Sequence, residues 1–89
     1  EGEEKYDLII DDGLHSPDAN LFTLEFALSK ISDNGVIVIE DISMHTLEIW
    51  ETVQILIKYS AYRSIIINGE NNGYVFLCTR KDSNQLLFN

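Results

Sequence analysis

Two short apolar runs in this sequence each end in acidic residues, and this repeated pattern could support chemistry. The first reads Tyr-Asp-Leu-Ile-Ile-Asp-Asp-Gly-Leu-His over Tyr6–His15, and the second reads Val-Ile-Val-Ile-Glu-Asp over Val36–Asp41. In an open parallel sheet, ligands bind beyond the carboxyl ends of the strands. If both runs are neighbouring strands of such a sheet, their acidic ends meet at one edge. The pattern therefore predicts a divalent-metal site there.

Three carboxylates and one histidine make up this predicted site. Asp12, Glu40 and Asp41 are the expected metal ligands, since Mg²⁺ prefers oxygen ligands and leaves positions for water or substrate oxygens. The open positions would suit a vicinal diol or a similar bidentate substrate. His15 follows Asp12 by three residues, and imidazole has an unperturbed pKa of about 6.5. It is the expected general base for a hydroxyl that the metal has made more acidic.

Each of these residues also has a structural interpretation. Acids that follow a strand often cap the next helix, which applies to Asp11 and equally to Glu40 and Asp41. His15 alone would fit a surface loop, and we expect His45 to be solvated. The coincidence of two acidic clusters at equivalent strand ends favours the metal site.

The first half of the chain predicts a strand, a helix and a second strand. Tyr6–Ile10 has three successive large aliphatic residues, typical of a strand buried on both faces. Ser16 is the expected N-cap of a helix and Pro17 its first residue. Ser32–Gly35 ends this helix, and Val36–Ile39 is the second, parallel strand. The apolar stripe of the helix consists of Leu21, Leu24, Leu28 and Ile31.

The second half predicts one more helix and a hairpin. Ser43 or Thr46 would cap a helix that reaches about Tyr59. Strands at Arg63–Ile67 and Tyr74–Thr79 flank a segment rich in turn-forming residues, which favours an antiparallel pair. The expected buried side of the helix consists of Leu47, Trp50, Val53, Leu56 and Ile57. Tyr59 is also expected to pack, and Cys78, in the middle of the last strand, is expected to be a small buried residue. The order β-α-β-α-β-β indicates a single α/β domain over residues 1–89, equivalent to half of an open, Rossmann-like sheet.

Composition limits the partners and the compartment. The 89 residues include 15 acidic and 6 basic ones, for a net charge of −9. This charge argues against binding to nucleic acid or to an anionic membrane surface. Cys78 is the one cysteine, and the chain has no membrane-spanning run and no signal pattern, so we expect a cytoplasmic protein. The absence of an initiator Met indicates a piece of a longer chain.

The segment from Tyr6 to about Ile42 resembles class I S-adenosylmethionine-dependent methyltransferases. It is most similar to the metal-dependent sugar O-methyltransferases of macrolide biosynthesis and to the cephalosporin-hydroxylase-like group. The resemblance rests on Asp-Asp-Gly-Leu-His and on Leu-Glu-Phe-Ala-Leu-Ser-Lys-Ile-Ser-Asp-Asn-Gly-Val-Ile-Val-Ile-Glu-Asp-Ile. Leu14 replaces a frequent Ser of the family, and Ser32–Gly35 replaces its usual Lys-Pro-Gly-Gly turn.

The resemblance implies a set of roles for the site residues. Mg²⁺ would be held by Asp12, Glu40 and Asp41, with His15 as the base. The residues on the S-adenosylmethionine side would be Asp11 and Gly13. The implied chain is the carboxyl-terminal half of the enzyme, because the glycine-rich loop and ribose-binding acid of the other half are not in this sequence.

Three functions are compatible with these patterns. The favoured one is Mg²⁺-assisted O-methylation of a small hydroxylated molecule, a sugar or polyol, by a longer parent chain that could form homo-oligomers. A second is a methyltransferase-like module without activity. The third is a receiver-type signalling domain, which fits least because no Lys lies near the end of Arg63–Ile67.

Overall fold

The computed structural model describes residues 4–12 and 17–84. In these residues the strands and helices follow the predicted order β-α-β-α-β-β. The strands are β1 (Tyr6–Asp11), β2 (Ile31–Ile42), β3 (Tyr62–Asn68) and β4 (Tyr74–Arg80). The helices are α1 (Pro17–Lys30) and α2 (Leu47–Ile57), and short 3₁₀ turns lie at Met44–Thr46 and Glu70–Asn72. Neither helix of the described segments is long and apolar enough to cross a membrane.

The four strands of the described segments form one mixed sheet in the order β1-β2-β4-β3. β1 and β2 pair in parallel, as predicted for a strand-helix-strand unit. β3 and β4 pair antiparallel, so the predicted terminal hairpin is confirmed. β4 also pairs antiparallel with β2 and therefore lies between β2 and β3. The domain is a small α/β fold whose first two strands end at the same edge.

The start of β2 differs from the prediction. Ile31 was expected on the helical stripe, but it pairs with Tyr6 and is buried as the first residue of β2. The next pair is Leu8 with Val36. Between the two pairs β1 advances by two residues and β2 by five, so β2 contains a bulge of three extra residues. Gly35 permits this bulge, because a Cβ there would lie 2.8 Å from the carbonyl oxygen of Tyr6.

Both helices cover the same face of the sheet. Leu24 and Ala27 from α1 and Trp50 and Ile57 from α2 belong to one buried cluster. The strand residues that complete this cluster on the same face include Ile37, Ile39, Phe76 and Cys78, each fully buried. Burial raises the pKa of the Cys78 thiol to about 12. The expectation that Cys78 is a small buried residue is confirmed.

Burial corrects three other predictions. β1 was expected to be buried on both faces, but the side chains of Leu8 and Ile10 are 57% and 54% exposed. No helix among the described residues covers the face of the sheet that carries Leu8 and Ile10. The sequence pattern of β1 alone does not show whether a helix covers that face. Leu56 is also exposed, because it lies six residues after the buried Trp50 and so about 120° away around the helix. Tyr59, expected to pack, lies beyond the end of α2 and is 82% exposed.

Candidate functional site

The parallel register brings the acidic ends of β1 and β2 side by side. Asp11 is paired with Ile39. Asp12 directly follows the last residue of β1, and Glu40 directly follows Ile39 in β2. The side chains of Asp12 and Glu40 are both exposed. The predicted proximity of the two strand ends is therefore present in the backbone.

Asp11 has a partner on the helical layer. Asn20 in α1 donates a hydrogen bond from Nδ2 to Oδ2 of Asp11 over 2.8 Å. The side chain of Asn20 is buried, with 4% of its surface exposed. A buried amide needs such a partner, since an unsatisfied one would cost about 1–3 kcal/mol. Asp11 therefore joins the end of β1 to the first turns of α1.

Sequence reasoning did not identify Asn20. Its position in the sequence indicates burial, because Asn20 precedes the buried Leu24 by four residues and so lies on the apolar side of α1. A polar side chain at such a position requires a buried partner. The carboxylate at the end of β1 is that partner.

Asp41 has an unusual backbone conformation. Its φ is 60°, in the left-handed region that is uncommon for residues other than glycine, although Asp tolerates it better than most. The strand pairing explains this conformation. Ile39 pairs with Phe76 and Ile42 with Tyr74, so β2 advances by three residues where β4 advances by two. One extra residue of β2 is accommodated by a bulge. The bulge changes the direction of the chain at the second acid of the pair.

A substitution series tests this conformation. We expect Asp41→Val to lower the free energy of unfolding by about 1–2 kcal/mol, because β-branched residues are poorly tolerated at positive φ. Asp41→Gly should cost almost nothing, since glycine adopts this conformation without steric penalty. Urea denaturation followed by circular dichroism measures both changes. Glu40→Val is the matched control, because Glu40 is equally an exposed residue of β2. Equal losses for Asp41→Val and Glu40→Val would contradict the role of the bulge.

The segment after β2 leads directly into α2. Ser43 and Thr46 occupy N-cap positions, of the 3₁₀ turn and of α2, as predicted, but neither side chain makes a capping hydrogen bond. Thr46 instead donates from Oγ1 to the backbone oxygen of Ser43 over 3.3 Å. His45 is exposed, which confirms the expectation that it is solvated.

Gly13, His15 and the expected N-cap Ser16 lie outside the described residues, so their predicted roles stay predictions. Within residues 4–12 and 17–84, no three or more histidine, cysteine, aspartate or glutamate side chains are grouped so that they could hold a metal ion. Mg²⁺ is commonly bound through only one or two carboxylates, with waters and substrate oxygens as its other ligands. The predicted ligands Asp12, Glu40 and Asp41 are therefore not grouped as a three-carboxylate site, and the two-carboxylate mode applies to Asp12 and Glu40, which follow the paired Asp11 and Ile39.

Comparisons with known proteins cover families, curated sequences and solved structures. No family model matches this chain, and no curated protein or solved structure matches it. The functional interpretation depends on the residues and their geometry.

Proposed function

We propose that this domain belongs to a longer chain that transfers the methyl group of S-adenosylmethionine to a hydroxyl of a small sugar or polyol, with the assistance of Mg²⁺. The observation that carries the proposal is the register of β1 and β2, in which Asp11 pairs with Ile39. This register supports the proposal, because Asp12 and Glu40 are the next residues along the chain from this pair and ligands bind at such an edge of a parallel sheet. The order of strands and helices and the terminal hairpin also agree with the fold that the resemblance implies.

The carboxylates at this edge of the sheet would bind the cation. Asp12 and Glu40 would hold the cation. The resemblance also implies Asp41 as a ligand, but the described residues do not group it with both of them as a third ligand. Bound Mg²⁺ supplies positive charge that makes a ligated hydroxyl more acidic. The exposure of Asp12, Glu40 and Asp41 leaves room for substrate oxygens beside them. The net charge of −9 favours accumulation of cations near the domain.

The remaining residues position the substrate and move a proton. His15 follows Asp12 by three residues and would accept the proton of the reacting hydroxyl. Asp11, held by Asn20, keeps the end of β1 against α1. This contact fixes Asp11, the residue before Asp12, and holding reactants in the correct geometry can supply a large part of the rate enhancement. Asp11 and Gly13 would lie on the side of S-adenosylmethionine.

Calorimetric titration with MgCl₂ tests the cation site. We expect Asp12→Asn to weaken Mg²⁺ binding at least tenfold, because a charged ligand becomes a neutral one. Asp7→Asn is the matched control, since Asp7 lies at the other end of β1 and accepts a hydrogen bond from Ser32 Oγ over 2.6 Å. Unchanged binding in Asp12→Asn, or equal weakening in both variants, would overturn the cation site.

Methyl transfer by the parent chain tests the reaction itself. Incubation with methyl-labelled S-adenosylmethionine and a panel of sugars and polyols should give a labelled product, and Asp12→Asn should reduce its formation. Mg²⁺ binding without methyl transfer to any acceptor would favour the alternative function, a methyltransferase-like module without activity.

A further inference from the structure

A cavity lies at the end of the sheet opposite the candidate cation site. β4 begins at Tyr74, which pairs with Ile42 near the acidic edge, and it ends at Arg80, which pairs with Tyr62 at the start of β3. At about 3.3 Å per residue, the length of β4 places this end roughly 20 Å from the acidic edge. The cavity, with a volume of about 330 Å³, has a wall that consists of Gln54, Ile55, Lys58, Arg63, Ser64 and Lys81.

The charged side chains of this wall are basic. Lys58, Arg63 and Lys81 are half of the 6 basic residues of the chain. No aspartate or glutamate of the described segments lines the cavity, although the chain has a net charge of −9. Exposed charges that lie more than about 8 Å apart are largely screened at physiological ionic strength. The three basic groups therefore determine which ligands the cavity attracts.

The nearby negative groups do not cancel this charge. The carboxyl end of a helix carries about half a negative charge, and α2 ends beside the cavity. Lys81 donates from Nζ to the backbone oxygen of Lys58, the C-cap of α2, over 2.8 Å. The next acid in the sequence, Asp82, accepts hydrogen bonds from Arg80 over 3.0 and 3.1 Å. Three basic groups and one helix end leave a local charge of about +2.5.

The basic groups are held in place and keep donors for a ligand. Gln54 donates from Nε2 to the backbone oxygen of Ser64 over 3.2 Å, which fixes α2 against β3 across the cavity. Within residues 4–12 and 17–84, neither Lys58 nor Lys81 forms a salt bridge. An ammonium group has three N–H donors, so Lys81 keeps two after its bond to Lys58. A ligand would therefore meet donors whose spacing the protein has already set.

The wall of the cavity is mainly carbon despite its three basic residues. Of the six described residues that form it, Ile55 alone is apolar, and it is 60% exposed. The rest of the carbon surface must come from methylene stems, which Lys and Arg expose beside their charged ends. A cavity of about 150 Å³ is enough to hold benzene. The volume of about 330 Å³ therefore accommodates a small apolar group together with an anionic one.

We propose that this cavity binds a small organic phosphate, with the phosphate group among Lys58, Arg63 and Lys81 and the apolar part against Ile55. A phosphate monoester carries a charge of about −1.5 to −2 at pH 7, which matches the local charge better than the single charge of a carboxylate. Arg binds phosphate through parallel hydrogen bonds, and Lys binds it as a point charge. The site is separate from the candidate cation site and does not depend on the proposed function.

Titration of the ¹⁵N-labelled protein with phenyl phosphate, followed by NMR at low salt and without Mg²⁺, tests the proposal. We expect the amide signals that move to be those around the cavity, including Ile55, Ser64 and Lys81. Lys58→Gln should weaken binding by about threefold, the usual effect of one exposed ion pair. Lys30→Gln is the matched control, because Lys30 ends α1 much as Lys58 ends α2 but lies outside the cavity wall. It should leave the affinity unchanged.

Three further ligands test the chemical class. Benzamide, which is neutral, should bind much more weakly than phenyl phosphate, and so should inorganic phosphate, which lacks the apolar part. Equal affinity of either one, or tighter binding of benzoate, would overturn the assignment of an organic phosphate. The cavity itself would be excluded as the site if the shifted signals lay elsewhere, or if Lys58→Gln and Lys30→Gln weakened binding equally.

Discussion

Trp50→Ala should lower the free energy of unfolding by about 3–5 kcal/mol, the usual cost of removing a large buried aromatic side chain. Trp50 is 1% exposed and joins α2 to the sheet through Phe76, with ring centroids 5.1 Å apart. Small domains are stable by only about 5–15 kcal/mol, so the loss is a large fraction of the total. Circular dichroism in urea measures it, because the substitution removes the single tryptophan.

Tyr59→Ala is the control for this large effect. It also removes an aromatic ring, but Tyr59 is 82% exposed beyond the end of α2, so the change should stay within about 0.5 kcal/mol. A loss below about 1 kcal/mol for Trp50→Ala would show that Trp50 does not join α2 to the sheet. The prediction of a buried Trp50 from helical spacing would then be of no energetic consequence.

Gly73→Ala should lower the free energy of unfolding by about 2–4 kcal/mol, because two costs combine. Gly73 has a φ of 78°, which penalises any residue with a Cβ. The added Cβ would also lie 2.9 Å from the backbone oxygen of Ile42 and 3.3 Å from Cα of Asp41. The colliding atoms belong to the backbone, which cannot yield as the end of a side chain can. Urea denaturation measures the loss.

Gly73→Ala should also affect the candidate metal site. Because Gly73 packs against the bulge at Asp41, Gly73→Ala should also weaken Mg²⁺ binding in the calorimetric titration. Asn71→Ala is the control, since Asn71 is exposed in the adjoining 3₁₀ turn and should change stability by less than about 0.5 kcal/mol. Equal losses for the two variants would show that the turn as a whole, and not the close approach of Gly73, supports the bulge.

Local patterns in the sequence determined the order of the elements and the proximity of the two acidic ends. Alternating apolar residues, turn-forming residues and tight connections act over a few neighbours, so they are readable without the fold. They predicted the hairpin of β3 and β4 and the parallel pairing of β1 with β2, and both are confirmed. They also predicted the burial of Trp50 and Cys78.

Only the tertiary structure decided which faces are covered and how the acids are held. Three successive aliphatic residues in β1 predicted burial on both sides, yet Leu8 and Ile10 are exposed because the two described helices lie on one face. The hydrogen bond from Asn20 to Asp11 and the approach of Gly73 to Asp41 join residues that lie 9 and 32 positions apart. Contacts between distant residues depend on how whole elements pack, and no short stretch of sequence contains that information.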